Sequence, residues 1–574
     1  MLKRLTAGGT ILMIALEIPS PSYAQTASQI TPPSFAPPPP QVDAPIVIPQ
    51  GLGAQAPAGA EAIELHLGDV IVEGAAVDPR ALGTLRETLV GHPIKLTDVF
   101  AAARALEADF ARHGHLLTRV TVPAQSLDKG ATLKLVVVQG FIERVDVTGL
   151  PRQVQRRVAA TLASLQGSTD MSQADLERRL LLAADVPGVA LRSTLAAGEK
   201  PGGTVLVVEG SYRPIGVLLS VDNSLPSALD GENYAIGITL NGVLGAGETV
   251  YLRAAGIPNV THDNSFLDPA PRNRMLAAGA IVPIGHDGLR LNLEGTDART
   301  APRHANTAPG FGTHFKRLST RVSYPFIRSR AINVVGEVSF DVQDEKVRII
   351  APLTLPISLD RLRVLRSAVD GRAALPGNGS VRLRAEISAG IDALGARSAA
   401  DATPLQPLSR AGTDADFQKL TVDAGIEQPL ARHLALSASG HAQTSFGQVM
   451  ANAEQIGIAS ADGLSPLYSG TLQGDSGYIV RGEIQTPFDL RTSGLFARLA
   501  PYGFAAHGQV HLEQPTVVER RNTGATAYGV GLRLNGQAAG SSAGLSASLE
   551  YGRAKIEGIR RETDRVSFSI LTQF

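Results

Sequence analysis

At 574 residues the chain is several times the length of a single domain, so it forms either several domains or one large closed architecture. Its 53 Lys+Arg balance 53 Asp+Glu, which excludes a global basic field for nucleic acid, and the absence of cysteine excludes disulfides, thiolate metal sites and cysteine nucleophiles. Charged residues reach only 18%, with 59 Gly and no Trp; a soluble domain usually carries about 25% charged residues, so the polar surface here is built from small side chains.

The N-terminus is basic at Lys3 and Arg4, apolar over Ile11–Leu16, and small at Ser22 and Ala24. This order predicts a secretory signal peptide over residues 1–24, cleaved after Ala24. Glu17, Pro19 and Pro21 interrupt the apolar stretch too early for an anchor helix. The longest later apolar run, Leu135-Val136-Val137-Val138, has only strand length. An exported chain of this kind is periplasmic, secreted or a transmembrane β-barrel. Residues 25–60, with Pro37-Pro38-Pro39-Pro40, read as a Pro-rich periplasmic linker.

Residues 61–140 and 141–210 run twice through the order β-α-α-β-β. The first unit predicts a strand over Leu65–Gly74, helices over Pro79–Leu89 and Thr97–His113, the latter capped by Thr97, and strands over Leu117–Val122 and Ala131–Val137. The second predicts Ile142–Val147, helices over Arg152–Leu165 and Ser172–Ala184, then Val189–Leu195 and Thr204–Val208. Such α+β units leave a sheet edge that can bind an extended chain by strand addition, or they serve as inert spacers.

From Ser211 the helical period gives way to strict alternation. Val381, Leu383, Ala385 and Ile387 trade places with Arg382, Arg384, Glu386 and Ser388, an apolar face opposite a charged one. Sixteen such segments fall near 214–222, 234–241, 249–256, 275–284, 289–297, 317–324, 332–342, 361–369, 380–390, 417–427, 433–445, 478–486, 499–511, 526–535, 543–552 and 564–574. Links after even strands are short. Those after odd strands are mostly longer: Ile257–Arg274, Ala298–Lys316, Gln343–Asp360, Ile391–Asp416 and Phe446–Gly477. Short turns at one rim and long loops at the other predict a transmembrane antiparallel β-barrel of about 16 strands over 211–574, preceded by the two α+β units. With 5% aromatics its interfacial girdles are expected to be thin and built from Tyr and Phe.

No catalytic set emerges. Gly474-Asp475-Ser476-Gly477 resembles the surroundings of a serine nucleophile but runs into a strand without partner His and Asp context, and reads as a tight turn. The 12 His lack metal-ligand spacing, and His113 and His115 around Gly114 read as turn residues at a helix end. No enzyme activity, metal or cofactor is expected.

Several ordered motifs carry a resemblance. The first unit has Gly114-His115, Arg119-Val120-Thr121-Val122-Pro123-Ala124-Gln125, and the Gly130 and Gly140 pair. The second has Asp185-Val186-Pro187-Gly188 and Gly202-Gly203. The barrel has Val221-Asp222-Asn223, Asn241–Glu248, and Asp475-Ser476-Gly477-Tyr478 with Arg481-Gly482-Glu483. Over residues 60–574 the chain resembles the outer-membrane transporters of two-partner secretion, the haemolysin activators, in which two polypeptide-transport-associated (POTRA) domains precede a sixteen-stranded barrel.

The resemblance implies passenger-binding residues Arg119, Pro123, Gln125, Gly130, Gly140, Asp185, Pro187 and Gly188, and a sixth loop that turns back into the lumen. In the family a Val-Arg-Gly-Tyr tip pairs its Arg with an Asp of a later strand. The matching tip here is Leu464-Ser465-Pro466-Leu467 followed by Tyr468, and Ala506, near Phe504, stands where the Asp is expected. Losing both charges together is tolerated better than losing one. The tip is therefore expected to be held by packing of Leu464, Pro466, Leu467 and Tyr468, with looser gating. The Pro-rich linker is expected not to supply the plug helix of some relatives, leaving a more open or differently plugged pore. Phe568, Ile570 and Phe574 suit a C-terminal signal for the barrel assembly machinery.

The implied function is secretion of an unfolded, β-rich passenger, haemolysin- or adhesin-like, through the lumen of an outer-membrane barrel whose N-terminal domains lie in the periplasm. Expected partners are that passenger, outer-membrane lipid and the assembly machinery, with no nucleic acid and a monomeric state. A barrel-assembly or insertion factor and a passive pore remain as alternatives.

Overall fold

The computed structural model describes residues 26–31, 46–47, 56–74, 77–115, 117–169, 171–256, 265–304, 309–491, 495–538 and 543–574. The predicted signal peptide and most of the linker lie outside the described residues.

In the first module Glu64–Glu73 pairs in parallel with Ala131–Val138, and the short strands Pro93–Lys95 and Arg119–Thr121 form the two edges. The inward residues Leu67, Val70, Leu133, Leu135 and Val137 pack against Leu85, Leu89, Val99, Ala103 and Leu106 of the helices Pro79–Leu89 and Leu96–Arg112. Thr97 does not cap the second helix. The helix starts one residue earlier, and the Asp98 carboxylate accepts the Lys95 N–H at 2.8 Å, a stronger acceptor at the positive helix end than a threonine hydroxyl. His113 caps its C-terminus, and Gly114 takes φ +96° as the chain turns away.

The second module repeats the plan. Phe141–Gly149 pairs in parallel with Gly203–Tyr212, which pairs antiparallel with Val189–Ala197, under the helices Arg152–Leu162 and Gln173–Ala184. Val154, Val158, Leu176, Leu180, Leu195 and Leu206 form its core. At the Val189–Ala197 edge, Ile46–Val47 from the N-terminal segment adds as a short parallel strand, opposite Ser193 and Thr194.

The remaining chain closes into one antiparallel barrel of sixteen strands. These are β1 Ile215–Asp222, β2 Asn233–Asn241, β3 Thr249–Gly256, β4 Asn273–Ile284, β5 Leu289–Thr300, β6 Gly310–Arg328, β7 Ile332–Ala351, β8 Leu355–Leu375, β9 Gly379–Gly390, β10 Gln418–Ala431, β11 Leu434–Thr444, β12 Ser476–Gln485 (resumed after Pro487 as Phe488–Arg491), β13 Leu495–His511, β14 Asn522–Ala538, β15 Gly544–Ile556 and β16 Thr563–Gln573. Residues of one parity face outward and are apolar, as Leu365, Val369, Leu383 and Ile387 are, and the other parity carries the charges inward. The seam pairs Leu218–Asp222 of β1 with Ser569–Gln573 of β16. Exposed aromatics form two thin belts: Phe326, Phe488, Phe496 and Phe574 near the module-bearing end, and Tyr234, Tyr478, Tyr528 and Tyr551 toward the other.

The predicted long loop Gln343–Asp360 is instead a hairpin. β7 and β8 run 20 and 21 residues and meet across residues 352–354, and β6 extends beside them. Above an apolar band both strand faces are polar, so alternation fades while the hydrogen-bond ladder continues. The sixth loop, residues 445–475, turns inward.

Candidate functional site

Inward-facing residues of β12 to β16 lie in rows across the register and build a seat. One row is Arg481, Ala506, Ala527 and Ala554; the next is Glu483, Phe504, Gly529, Gly552 and Arg565; the third is Gln485, Tyr502, Gly531, Glu550 and Ser567. The alanines form a flat shelf. The glycines receive rings: a Cβ on Gly529 would lie 2.6 Å from the Phe504 ring, and one on Gly531 would lie 2.4 Å from the Tyr502 ring.

The tip of the sixth loop rests on this seat. Leu464 and Leu467 are buried with Ile458, Ile479, Tyr502, Phe504 and the three alanines, and Pro466 sits over Gly552, where a Cβ would come within 2.7 Å of its Cγ. The anchor is not packing alone. Arg481, opposite Ala506, places its guanidinium 3.8 Å over the Phe504 ring, donates to Ser465 Oγ at 2.9 Å and pairs with Glu550 at 2.5 Å. The Ser465 hydroxyl donates to Glu550, as does Tyr502 at 2.9 Å. Glu483 pairs with Arg481 at 2.9 Å and with Arg533 at 3.2 Å. Arg565 donates to the Leu467 carbonyl at 3.2 Å and lies 4.2 Å over the Tyr468 ring. The charge pair absent from the tip and from position 506 is thus carried by the wall, as Arg481 and Glu550, with Ser465 inserted between them. This corrects the expectation of a tip held only by apolar contacts.

Two further anchors hold the feet of the loop. Glu454, 1% exposed, takes Arg366 at 2.6 Å and Lys419 at 2.7 Å. Asp475 is fully buried, pairs with Arg410 and accepts the backbone N–H groups of Met450 at 2.9 Å and Glu513 at 2.8 Å. The tight-turn reading of Gly474–Gly477 therefore fails. Gln473-Gly474 is a strand paired with Ile456-Gly457, and Ser476 begins β12.

The N-terminal segment also enters the lumen, so of the two expected alternatives, a more open or a differently plugged pore, the structure has the second. Ala27–Ile30 forms one helical turn in which the Thr26 N–H bonds Gln29 Oε1 at 2.9 Å. The Ala27 N–H donates to Thr313 Oγ1 at 2.8 Å, the Ser28 N–H to Glu345 at 3.1 Å, and Gln29 to Gln473 at 2.8 Å. Ala27 is buried with Ala298 and Phe315. A single turn bonded to wall side chains fills space without the long helix that a Pro-rich sequence resists.

The residues expected to bind a passenger each find a partner within the molecule. The Gln125 side-chain amide bonds both the N–H and the carbonyl of Lys134 at 2.8 Å, extending the ladder beyond the Arg119–Thr121 edge. Arg119 donates to the Thr118 carbonyl at 3.0 Å and Pro123 accepts from Gln125 at 3.3 Å. Gly130 turns at φ +83°, and a Cβ on Gly140 would collide with the Leu117 carbonyl. Asp185 grips Arg328 of β6 with bonds of 2.8 and 2.9 Å, both side chains nearly fully buried. Gly188, at φ +76°, accepts the Arg213 N–H through its carbonyl, and Pro187 lines the same junction. Arg179–Asp287 at 2.5 Å joins them in docking the second module to the barrel mouth. Tyr478, Ile570 and Phe574 face outward, Phe568 with the same parity. Sequence reasoning missed Glu550, Arg565 and Glu454. Glu550 carried a legible signal, as the one acid on the inward face of β15.

Two α+β modules docked on a closed sixteen-stranded barrel, its lumen filled by its own sixth loop and N-terminal turn, define a POTRA-bearing barrel of the outer-membrane type. The chain belongs to the haemolysin secretion/activation protein family ShlB/FhaC/HecB, whose profile matches residues 202–534, while residues 65–140 match the ShlB-type POTRA domain. That family is one of secretion proteins, not of enzymes. Among individual relatives, the heme/hemopexin transporter protein HuxB of Haemophilus influenzae is 23% identical over 255 residues, covering 42% of this chain and 44% of the relative's length. In fold, CdiB from Escherichia coli aligns with TM-score 0.66 and 16% identity over 91% of this chain and 93% of CdiB. CdiB from Acinetobacter baumannii gives 0.58 and 14% over 89% and 90%. BamA from Haemophilus ducreyi lacking POTRA domains 1–3 gives 0.50 and 11% over 89% and 100%.

Proposed function

We propose that this protein is the translocator of a two-partner secretion system, resident in the outer membrane with its modules in the periplasm, and that it passes one unfolded β-rich exoprotein through the barrel lumen to the cell surface. The carrying observation is that the lumen is filled by segments held only through noncovalent contacts, the tip on its Arg481–Glu550 seat and the single turn Ala27–Ile30. A lumen closed this way can be cleared without unfolding the wall. The strand Val189–Ala197, whose outer side is paired only at Ser193 and Thr194 among the described residues, offers the rest of its backbone ladder to an arriving chain, which suits a passenger recognised with little sequence preference. Folding outside supplies the directional drive. The protein acts as a monomer and is inserted by the barrel assembly machinery, using the outward Phe568, Ile570 and Phe574.

The test compares the exoproteins released by cells with and without this chain, above all any large β-rich product whose reading frame lies next to that of this chain. Loss of that product alone supports translocation. Loss of many outer-membrane proteins on depletion would instead favour an assembly factor, and no loss of either would leave a passive pore.

A further inference from the structure

The outward surface of β2 to β7 carries a groove of 870 Å³ that the translocation path does not use. Its floor is one register row: Ile238, Leu252, Ala278, Gly295, Leu318 and Val342. Bulky residues flank two small ones, and a Cβ on Gly295 would meet nothing within 4 Å, so the middle of the row is a notch in an otherwise apolar wall. The next row toward the loop-bearing rim changes character to Asp297, Lys316 and Asp344 on β5, β6 and β7. Beyond it, on the same face, stand Arg299, His314, Lys346 and Arg348.

The charges of this belt do not cancel. Asp297 is shared among Arg299, His314 and Arg274 at 3.2, 2.6 and 3.7 Å. Asp344 is shared between Arg363 and Arg361 at 3.2 and 4.0 Å. Lys316, Lys346 and Arg348 are exposed and have no ion-pair partner among the described residues. Lys346 is the diagonal neighbour of Lys316 across β6 and β7, and Arg348 lies one further step along the strand; such neighbours sit about 7–8 Å apart, within reach of one phosphate group for long side chains. The outward apolar residues of β7 run from Ile332 to Val342, and at about 3.4 Å per residue on a strand tilted by roughly 40° they span the apolar band of about 25 Å. The cations therefore stand just where hydrocarbon ends.

We infer that this face binds a phosphate-bearing, multi-acyl lipid of the external leaflet, an acyl chain lying in the notch at Ala278 and Gly295 and the phosphate on Lys316, Lys346 and Arg348. The inference rests on the outer-membrane placement proposed above but not on secretion. Charge complementarity selects the occupant, since a zwitterionic lipid would leave three cations unanswered at the boundary.

The test is native mass spectrometry of the full-length protein in detergent micelles, titrated with diphosphorylated lipid A or with phosphatidylethanolamine. Heat-modifiable gel mobility checks that each variant retains a closed barrel. The wild type is expected to bind lipid A at least tenfold more tightly than phosphatidylethanolamine. The charge variant K316E/K346E/R348E should lose that preference, Gly295→Leu should weaken binding of lipid A several-fold by filling the notch, and Lys555→Glu on the far wall should change nothing. Equal binding of the two lipids by the wild type, or undiminished lipid A binding by the triple variant or by Gly295→Leu, would overturn the inference. Because the assay reads lipid binding alone, its failure is distinguishable from a failure of the secretion reading.

Discussion

Glu550→Ala should release the tip of the sixth loop. When the tip is docked, Arg481 is 3% exposed and its guanidinium is satisfied by Glu550, Glu483 and Ser465. Removing one member of a buried pair costs about 3–5 kcal/mol. Glu483 remains at 2.9 Å, which lowers the expected penalty to about 2–4 kcal/mol. The penalty falls on the docked state alone, because undocking opens Arg481 to lumenal water. At 1.36 kcal/mol per decade the undocked population should rise about 30- to 900-fold. The chain contains no cysteine, so Ala459→Cys, a loop position buried against the wall when the loop is docked, reports undocking through its rate of labelling by a membrane-impermeant maleimide. E550A should accelerate that rate by about two orders of magnitude, and E550A/R481A should recover most of the protection, because no unpaired charge is then left buried. A rate for E550A within about threefold of the parent would refute the argument that the wall pair holds the tip.

Gly552→Leu should speed the same labelling reaction while the barrel stays heat-modifiable, since its Cβ would lie 2.7 Å from Pro466 and 3.0 Å from the Phe504 ring; unchanged protection would show that the tip does not depend on this seat. Asp185→Ala removes the carboxylate paired with Arg328, whose side chain is 1% exposed and keeps Asn333 at 2.8 Å, and should weaken docking of the second module on the barrel by about 2–4 kcal/mol. Spin-label distances between module and barrel should broaden in D185A more than in D185A/R328A; equal widths would place the docking energy elsewhere. Removal of residues 26–31 should raise single-channel conductance in planar bilayers, and an unchanged conductance would mean that the turn at Ala27–Ile30 does not obstruct the lumen.

The barrel was legible because lipid on one side and water on the other impose a period of two on every strand. Legibility stopped where that asymmetry stops. β7 and β8 continue past the apolar band through Asp344, Lys346 and Arg348, where nothing in the sequence separates a strand from a loop. The chemistry that holds residues 464–468 was not legible, because charge compensation is a matter of register. Arg481 and Glu550 are 69 residues apart and meet only because β12 to β15 stack in rows. Nothing in the sequence marks Gly529, Gly531 and Gly552 as sockets for rings and for Pro466. Asp185 stood out by its motif, yet only the fold reveals that it faces the barrel rim.

The parallel pairing of Ile46–Val47 with Ser193 and Thr194 has a consequence for affinity. An arriving strand does not meet a vacant edge; it meets one occupied by a ligand covalently tethered to the same molecule, whose effective concentration for a short tether is of the order of millimolar. The apparent dissociation constant of any competitor is multiplied accordingly. The factor is the same for every competitor, so it pushes weakly pairing periplasmic chains below useful occupancy, whereas a chain offering several consecutive pairings to Val189–Ala197 starts tight enough to bind still. The module thus acts as a threshold filter, and its stringency is set by tether length and by the strength of the pairing, two residues long among the described residues.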